Sequence, residues 1–367
     1  MHVHSFNTIP QLDLSLAGDA AQRPELLQQL RHALTDVGFL YVKNHGVPEK
    51  VIDDLVAVAL PAIADLSAEA KAEISLERSP HFLGYSSVGS ETTAGLSDHR
   101  EQIEFATELL VRWSPGRPLY ERLIGPNQWP PSNPELRPVV EEYIRQLTIL
   151  GDRFLRLVAE ALSLPPATFL PFLSDQHRLK LVRYPGIDAN GPEGAEPIQG
   201  VGPHKDSSGW WTFLLQASPP AVGGLQALNR RGQWIDVPSI PGTFVVNIGQ
   251  AFEVVTHGVC PATTHRVVRR PGREQREDRY SVPFFQGVRL DLTKGEALDG
   301  LREHFCGDGG MLAGGVHEPR VGAEIDSAFL RGNYDTWGES QLRTKIRSHR
   351  DVGRRFYPEV LEAYLAD

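Results

Sequence analysis

Two His-x-Asp triplets occur among the 13 histidines of this chain, His204-Lys205-Asp206 and His349-Arg350-Asp351. In an extended strand, residues i and i+2 project to one face, so the imidazole and carboxylate of such a triplet can grip one cation. The first triplet comes after a Gly/Pro-rich stretch, residues 186–203, and opens a region of β-like runs. The second sits among basic residues with no histidine behind it, and reads as surface or structural. A third ligand must come from the β region downstream. His257 precedes Gly258 in a turn, and His265 heads the strand-like run "HRVVRR", which can return beside His204. Two imidazoles and one carboxylate on one face leave three coordination positions open, the arrangement that holds a non-haem Fe(II) ion.

Arg279-Tyr280-Ser281 begins the apolar run "RYSVPFF", 14 residues after His265. Arg279 and Ser281 share a strand face. A guanidinium pairs both oxygens of a carboxylate and the hydroxyl adds a donor. A buried arginine needs an anion. A metal near one end of a barrel and this pair deeper inside would suit a short dicarboxylate, its keto-acid end on iron and its far carboxylate on Arg279. An isolated arginine is ordinarily a surface charge; the apolar strand is what argues for burial here. A zinc hydrolase would also use His and Asp ligands, but it would leave Arg279-x-Ser281 without a task.

The elements that must position these residues change character along the chain. "IPQLDLS" (residues 9–15) alternates as a short strand. Pro24 opens a helix with apolar residues through Val37, and Gly38 stands where it stops. "FLYVKNHG" is a second strand and turn, and residues 48–76 read as two further helices. Residues 79–100 form a long polar loop, of the kind that is more often functional than idle. A Pro-rich stretch leads into a strongly amphipathic helix over 136–163, ended by Pro165 and Pro166. Short runs then come at 179–184, 211–216, 225–228, 243–248, 264–268 and 280–285, separated by Pro/Gly turns. Such a series predicts a sandwich or barrel. Beyond residue 295 loop and helix return, with a Gly-rich segment at Gly307–Gly315.

Composition narrows the classes. The 367 residues are 41% hydrophobic and 23% charged, which excludes a disordered or fibrous chain. A net charge of −9 gives no overall footprint for nucleic acid. The basic stretches Arg266–Arg279 and Arg343–Arg355 contain acids and read as solvated surface. Cys260 and Cys306 are too few for a disulfide framework and suit a reducing compartment. No signal peptide is visible, and the longest apolar run, Leu55–Ala64, is too short to span a bilayer. These features predict a soluble cytoplasmic protein that binds no nucleic acid or membrane.

The ordered set "GPHKD", "GGLQ", "GQWIDVPSIPGTFVVNIGQ", "ATTHRV" and "RYSVPFF" resembles the isopenicillin N synthase-like branch of the Fe(II)/2-oxoglutarate-dependent dioxygenases. "IPQLDLS", "GFLYVKNHGVP" and "GYSSVGSETTAG" followed by "DHREQIEF" resemble that family's N-terminal region, so the likeness runs to about residue 290 and more loosely beyond. The resemblance implies a mainly β fold with flanking helices around a double-stranded β-helix (jelly-roll) core. It divides into residues 1–135 as a mixed α/β region, 136–295 as long helix plus catalytic core, and 296–367 as a packed C-terminal segment, all one integrated unit.

It also implies that His204, Asp206 and His265 bind Fe(II), and that Arg279 and Ser281 hold 2-oxoglutarate with Tyr184 nearby. The family often carries Asn-x-Tyr where this chain has Val182-Arg183-Tyr184. It usually has a Thr seven residues after the first ligand, whereas Thr212 stands at eight, beside two tryptophans. A bulge there would re-aim the side chains beyond it, so Trp210 or Trp211 would line a substrate pocket, against their ordinary role as core aromatics. Phe285 is a further pocket candidate. Tyr85 and Glu91 lie in a segment that approaches the active site in the family. Glu91 would meet a cationic substrate group there, against the ordinary reading of an exposed loop glutamate. "GGLQ" and Asn247 are assigned to turns and barrel packing. The implied reaction consumes O2 and 2-oxoglutarate, releases succinate and CO2, and oxidises, most simply hydroxylates, a small molecule. The alternatives are an oxidase that does not consume 2-oxoglutarate, or a silent metabolite-binding barrel.

Overall fold

The computed structural model describes residues 5–93, 95–187, 197–269, 276–306, 327–331 and 334–366; the Gly307–Gly315 segment lies outside them. The described strands are β1 (Gln11–Asp13), β2 (Phe39–Lys43), β3 (Gly84–Ser86), β4 (Thr92–Thr93), β5 (Leu96–Ser97), β6 (Glu101–Ala106) and β7 (Arg178–Tyr184). They continue with β8 (Ile198–His204), β9 (Trp211–Gln216), β10 (Leu225–Leu228), β11 (Trp234–Asp236), β12 (Thr243–Ile248), β13 (His265–Arg269) and β14 (Arg279–Phe285). One sheet has the order β1-β2-β12-β9-β14-β7-β6-β3 and a second β11-β10-β13-β8, with β4 and β5 as a separate ribbon. Val182, Tyr184 and Val245 of the larger sheet share one apolar cluster with Val201, Leu225, Ala227 and Val267 of the smaller. The two sheets therefore form a jelly roll, as expected. Strands from the first third of the chain, β1, β2, β3 and β6, extend both edges of its larger sheet.

The larger sheet divides its side chains with period 2. On β12, Phe244 and Val246 face the helix-side core while Val245 faces the other sheet; on β7, Leu179 and Leu181 take the helix side and Val182 and Tyr184 the interior. The helix Leu136–Ala161 covers the outer face and buries Val140, Ile144, Leu147, Leu150, Phe154, Leu155 and Val158, the positions its apolar spacing predicts. Phe154 sets its ring edge-on to Trp211 and Phe213, with centroids 5.1 and 5.5 Å away. Losing a buried ring of this kind costs about 3–5 kcal/mol.

The expected runs at 211–216, 225–228 and 243–248 coincide with β9, β10 and β12. Other strands differ from expectation: β3, β4 and β5 are short strands within the expected loop at 79–100, and β11 lies between expected runs. β8 occupies the end of what reads as a Gly/Pro-rich loop, and β6 ("EQIEFA") is buried at all six positions despite two glutamates and a glutamine. β6 is held between β7 and β3, so its polar side chains find partners that a local reading cannot supply.

The helix Arg23–His32 carries Pro24 in its first turn and runs through a wider turn to Gly38, whose φ of +71° ends it. A Cβ at Gly38 would lie 2.4 Å from both the Pro261 carbonyl oxygen and Thr263 Oγ1, so only glycine lets this helix end dock there. Thr263 donates to the Val37 carbonyl at 2.6 Å and leads directly into His265. Among the described residues no helix is long and apolar enough to cross a membrane.

Candidate active site

Pairing of β13 with β8 sets His265 directly opposite His204, their ring centroids 4.3 Å apart. The Gly202 carbonyl accepts from His204 Nδ1 at 2.8 Å and the Thr263 carbonyl from His265 Nδ1 at 3.1 Å. A carbonyl accepts only from a protonated ring nitrogen, so both rings are fixed as Nδ1–H tautomers with the Nε2 lone pair presented. Asp206 completes the group: its Oδ1 lies 3.5 Å from His204 Nε2 and 3.6 Å from His265 Nε2. One donor atom from each of the three falls within 4.8 Å of the others.

The carboxylate does not reach this point by strand alternation, as a His-x-Asp triplet in an extended strand would suggest. β8 ends at His204, and Asp206 is carried in by the turn beyond it. Asp206 Oδ2 accepts from Thr212 Oγ1 at 2.5 Å and from Asn247 Nδ2 at 2.7 Å, which leaves Oδ1 for a metal. Burial opposes its ionisation, but His265, His204 and the Thr212 hydrogen bond outweigh it and hold the carboxyl well below the usual range. Burial, and next His204, push His265 down to about 4. His257 lies in the turn after the helix Gln250–Val255 and is not in this group.

The expected bulge is not found within β9, whose register with β12 and β14 is unbroken. Ahead of it Gly209 stands at φ +103°, where a Cβ would meet the Gln286 carbonyl at 2.6 Å. Thr212 faces Asp206, and the expectation that a tryptophan lines the pocket is corrected. Trp211 points to the helix side against Phe154 and Phe252, and Trp210 packs against Phe169, Phe172 and Phe252. Both are fully buried in the core, and neither lines the cavity.

That cavity, of about 220 Å³, is bounded by His204, Asp206 and His265 and extends between the sheets to Arg279, Ser281 and Tyr184. Arg279 pairs in register with Tyr184, and Ser281 with both Val182 and Gln216. Arg279 is 2% exposed and donates from Nη2 to Gln216 Oε1 at 3.0 Å, while its buried Nη1 has no partner. Burial lowers its pKa, and Tyr184, whose ring centroid lies 4.9 Å from the guanidinium carbon, counteracts this. An unanswered, buried guanidinium N–H at a cavity wall fits a ligand carboxylate.

Phe285 lines the same cavity. Glu91 does too, but it is buried: Arg100 Nη2 donates to it at 2.6 Å, Gln102 Nε2 at 2.7 Å, and His349 Nε2 lies 3.2 Å away. Tyr85 stands outside the cavity and donates to Glu101 at 2.6 Å. His349, expected to be surface or structural, pairs with Glu91 and lines the wall, where Gln341 of the helix Trp337–Ser348 donates to the Ser207 carbonyl at 2.6 Å and seats that helix over the site. The basic stretches around it are not uniformly solvated: Arg269 and Arg279 are buried, and Lys345 donates to Glu104 at 2.8 Å. Asn247, expected to serve turns and barrel packing, also fixes the Asp206 carboxylate, and Arg178, Lys180 and Glu104 join the cavity without having stood out in the sequence. The signal available was alternation in "RLKLVRY", where charged residues interleave with leucines.

Comparison with known proteins agrees with this geometry. Residues 9–132 match the family model described as non-haem dioxygenase in morphine synthesis N-terminal, and residues 176–288 match that of the 2OG-Fe(II) oxygenase superfamily. A 2-oxoglutarate-dependent dioxygenase, frbJ, of Dothideomycetidae sp. (strain 11243) is 43% identical over 97% of this chain and 94% of its own length. A homoarginine-6-hydroxylase of Glycine max is 33% identical over 80% of this chain and 89% of its own. The crystal structure of a full-length Neurospora crassa protein in complex with alpha-KG and thymine superposes with a TM-score of 0.64 at 26% identity, covering 77% of this chain and 87% of that one. The chain belongs to the Fe(II)/2-oxoglutarate-dependent oxygenase superfamily. It is an oxidoreductase that uses Fe(II), 2-oxoglutarate and O2.

Proposed function

We propose that this protein hydroxylates a small polar molecule, with His204, Asp206 and His265 holding the iron and Arg279, Ser281 and Tyr184 holding the far carboxylate of 2-oxoglutarate. The observation that carries this is one cavity bearing a His/Asp/His cluster at one point and an unpartnered buried guanidinium N–H at another. Iron, 2-oxoglutarate and O2 together supply the oxidation, releasing succinate and CO2. The chain's own residues position and shield it. Thr212 and Asn247 fix Asp206, the Gly202 and Thr263 carbonyls fix the imidazoles, and Gln216 and Tyr184 aim Arg279 into the cavity. The helix Trp337–Ser348 closes one wall against water. One relative is named for hydroxylating homoarginine and another was crystallised with thymine, which supports a small polar substrate. Two unpaired cysteines support a reducing, cytoplasmic setting.

Anaerobic addition of Fe(II) and then 2-oxoglutarate should produce a visible metal-to-ligand charge-transfer band, and air should then release succinate. Iron that binds without any 2-oxoglutarate-dependent band would overturn the assignment.

A further inference from the structure

The end of the cavity away from Arg279 is charged in a way that iron and co-substrate do not use. β7 turns Tyr184, Val182, Lys180 and Arg178 to the interior in succession. Tyr184 and Val182 stand opposite Arg279 and Ser281, whereas Arg178 stands opposite Phe285, which in turn pairs with Thr212 beside Asp206. Lys180 and Arg178 therefore lie past the metal ligands, where a second molecule would meet the iron. Lys180 pairs in register with Glu104 of β6.

Three cations (Arg178, Lys180, Lys345) and two carboxylates (Glu91, Glu104) gather here, with side chains no more than 17% exposed, while the Arg100–Asp98 pair adjoins them on the Tyr184 side and is neutral as a pair. With His349 counted as neutral, one positive charge is left over. Most of these groups are closed by short contacts: Arg178 and Lys345 donate to Glu104 Oε1 at 2.6 and 2.8 Å, and Arg100 to Glu91 Oε2 at 2.6 Å. Lys180 is the exception. Its Nζ stands 3.6 Å from Glu104 and 3.8 Å from Glu91, beyond hydrogen bonding to either, with its side chain 17% exposed to the cavity. Outside, the adjoining groove is lined by Lys71, Arg343, Arg347 and Arg350 against Glu77 and Asp351, a surplus that draws anions inward.

We infer that the primary substrate carries a carboxylate, received by Lys180 as it approaches the iron. The inference deepens the proposed function and rests on it. The single surplus charge selects a monoanion; a phosphate monoester, at about −1.5 to −2, would overshoot it. The cavity of about 220 Å³ must also hold 2-oxoglutarate, so the substrate is small. Glu91, already held by Arg100 and Gln102, is a neutraliser of this cluster and no receptor for a cation.

The test uses the iron-loaded protein with 2-oxoglutarate and a panel of small carboxylic acids, including amino acids, each paired with its primary amide, plus phosphate monoesters and amines. Stimulated succinate release and perturbation of the anaerobic charge-transfer band are the readouts. Acids are expected to act at concentrations at least tenfold below their amides. K180M should abolish that preference, K180R should keep it, and both should form the band with 2-oxoglutarate. Equal action of acids and amides, action confined to phosphates or amines, or an undiminished preference in K180M would overturn the inference. Each of these can occur with the band intact, so the proposed function would survive it.

Discussion

Asp206 shows how much of this site depends on residues that never touch a metal. Its Oδ2 is tied down twice, by Thr212 and Asn247, and the free Oδ1 inherits a fixed direction. Loss of such an outer partner typically costs about 10–100-fold in metal affinity. Thr212→Val and Asn247→Ala should therefore each weaken Fe(II) binding by about that factor with an unchanged circular dichroism spectrum; wild-type affinity in a folded variant would refute the positioning role. His265→Ala should lose iron altogether, while His257→Ala, outside the cluster, should keep it, as read by metal content after dialysis. Arg279→Ala removes charge-assisted hydrogen bonds worth about 1.5–3 kcal/mol. The 2-oxoglutarate concentration giving half the charge-transfer band should rise about 10–100-fold with metal content retained, and an unmoved titration would refute the assignment.

Elements convert these side chains into a site through register and turns. β13 and β8 place two imidazoles opposite each other by pairing alone, but the carboxylate lies beyond the end of β8 and is held by Thr212 of β9 and Asn247 of β12. Gly209, between Asp206 and Thr212, supplies the φ of +103° that the connection takes. Gly209→Ala forces a Cβ into a left-handed conformation against the Gln286 carbonyl at 2.6 Å, a strain of about 1–3 kcal/mol. The variant should melt earlier and bind iron more weakly than wild type, because relaxing the turn moves Thr212 relative to Asp206. A variant with both properties unchanged would show that the turn has slack. Period-2 alternation explains why Trp211 faces the core: with Thr212 committed to the interior, Trp211 has the opposite face, while Trp210 stands ahead of the strand and packs among Phe169, Phe172 and Phe252.

At the scale of the whole molecule, buried histidines tie stability to pH. His177, 4% exposed, accepts from the Gly287 N–H at 3.0 Å through Nδ1 and so clamps the start of β7 to the chain leaving β14. Burial lowers its pKa from 6.5 to about 4. Between those values the unfolded chain binds a proton that the folded one refuses. Stability is therefore complete above about pH 6.5 and falls as pH drops towards 4, by up to about 3 kcal/mol at the lower limit. His177→Gln, which keeps an acceptor but cannot titrate, should show a shallower decline of melting temperature over that window; parallel curves would exclude His177 as the source.

Much of this was legible along the chain. Motif order pointed to three candidate ligands and a carboxylate anchor, and local patterning gave the bounds of β9, β10 and β12, because pleat and periodicity are properties of neighbouring residues. A spacing one residue long at Thr212 suggested a tryptophan in the pocket, and only the fold showed both tryptophans to be core aromatics. Burial of Glu91 and Glu104, and partial burial of Lys345 and His349, was equally invisible. These side chains come from segments more than 240 residues apart, and a charged residue reads as exposed until the oppositely charged one is brought to it. What a strand can do is written in adjacent residues; which charges end up sharing a cavity is decided by tertiary contacts that no local pattern encodes.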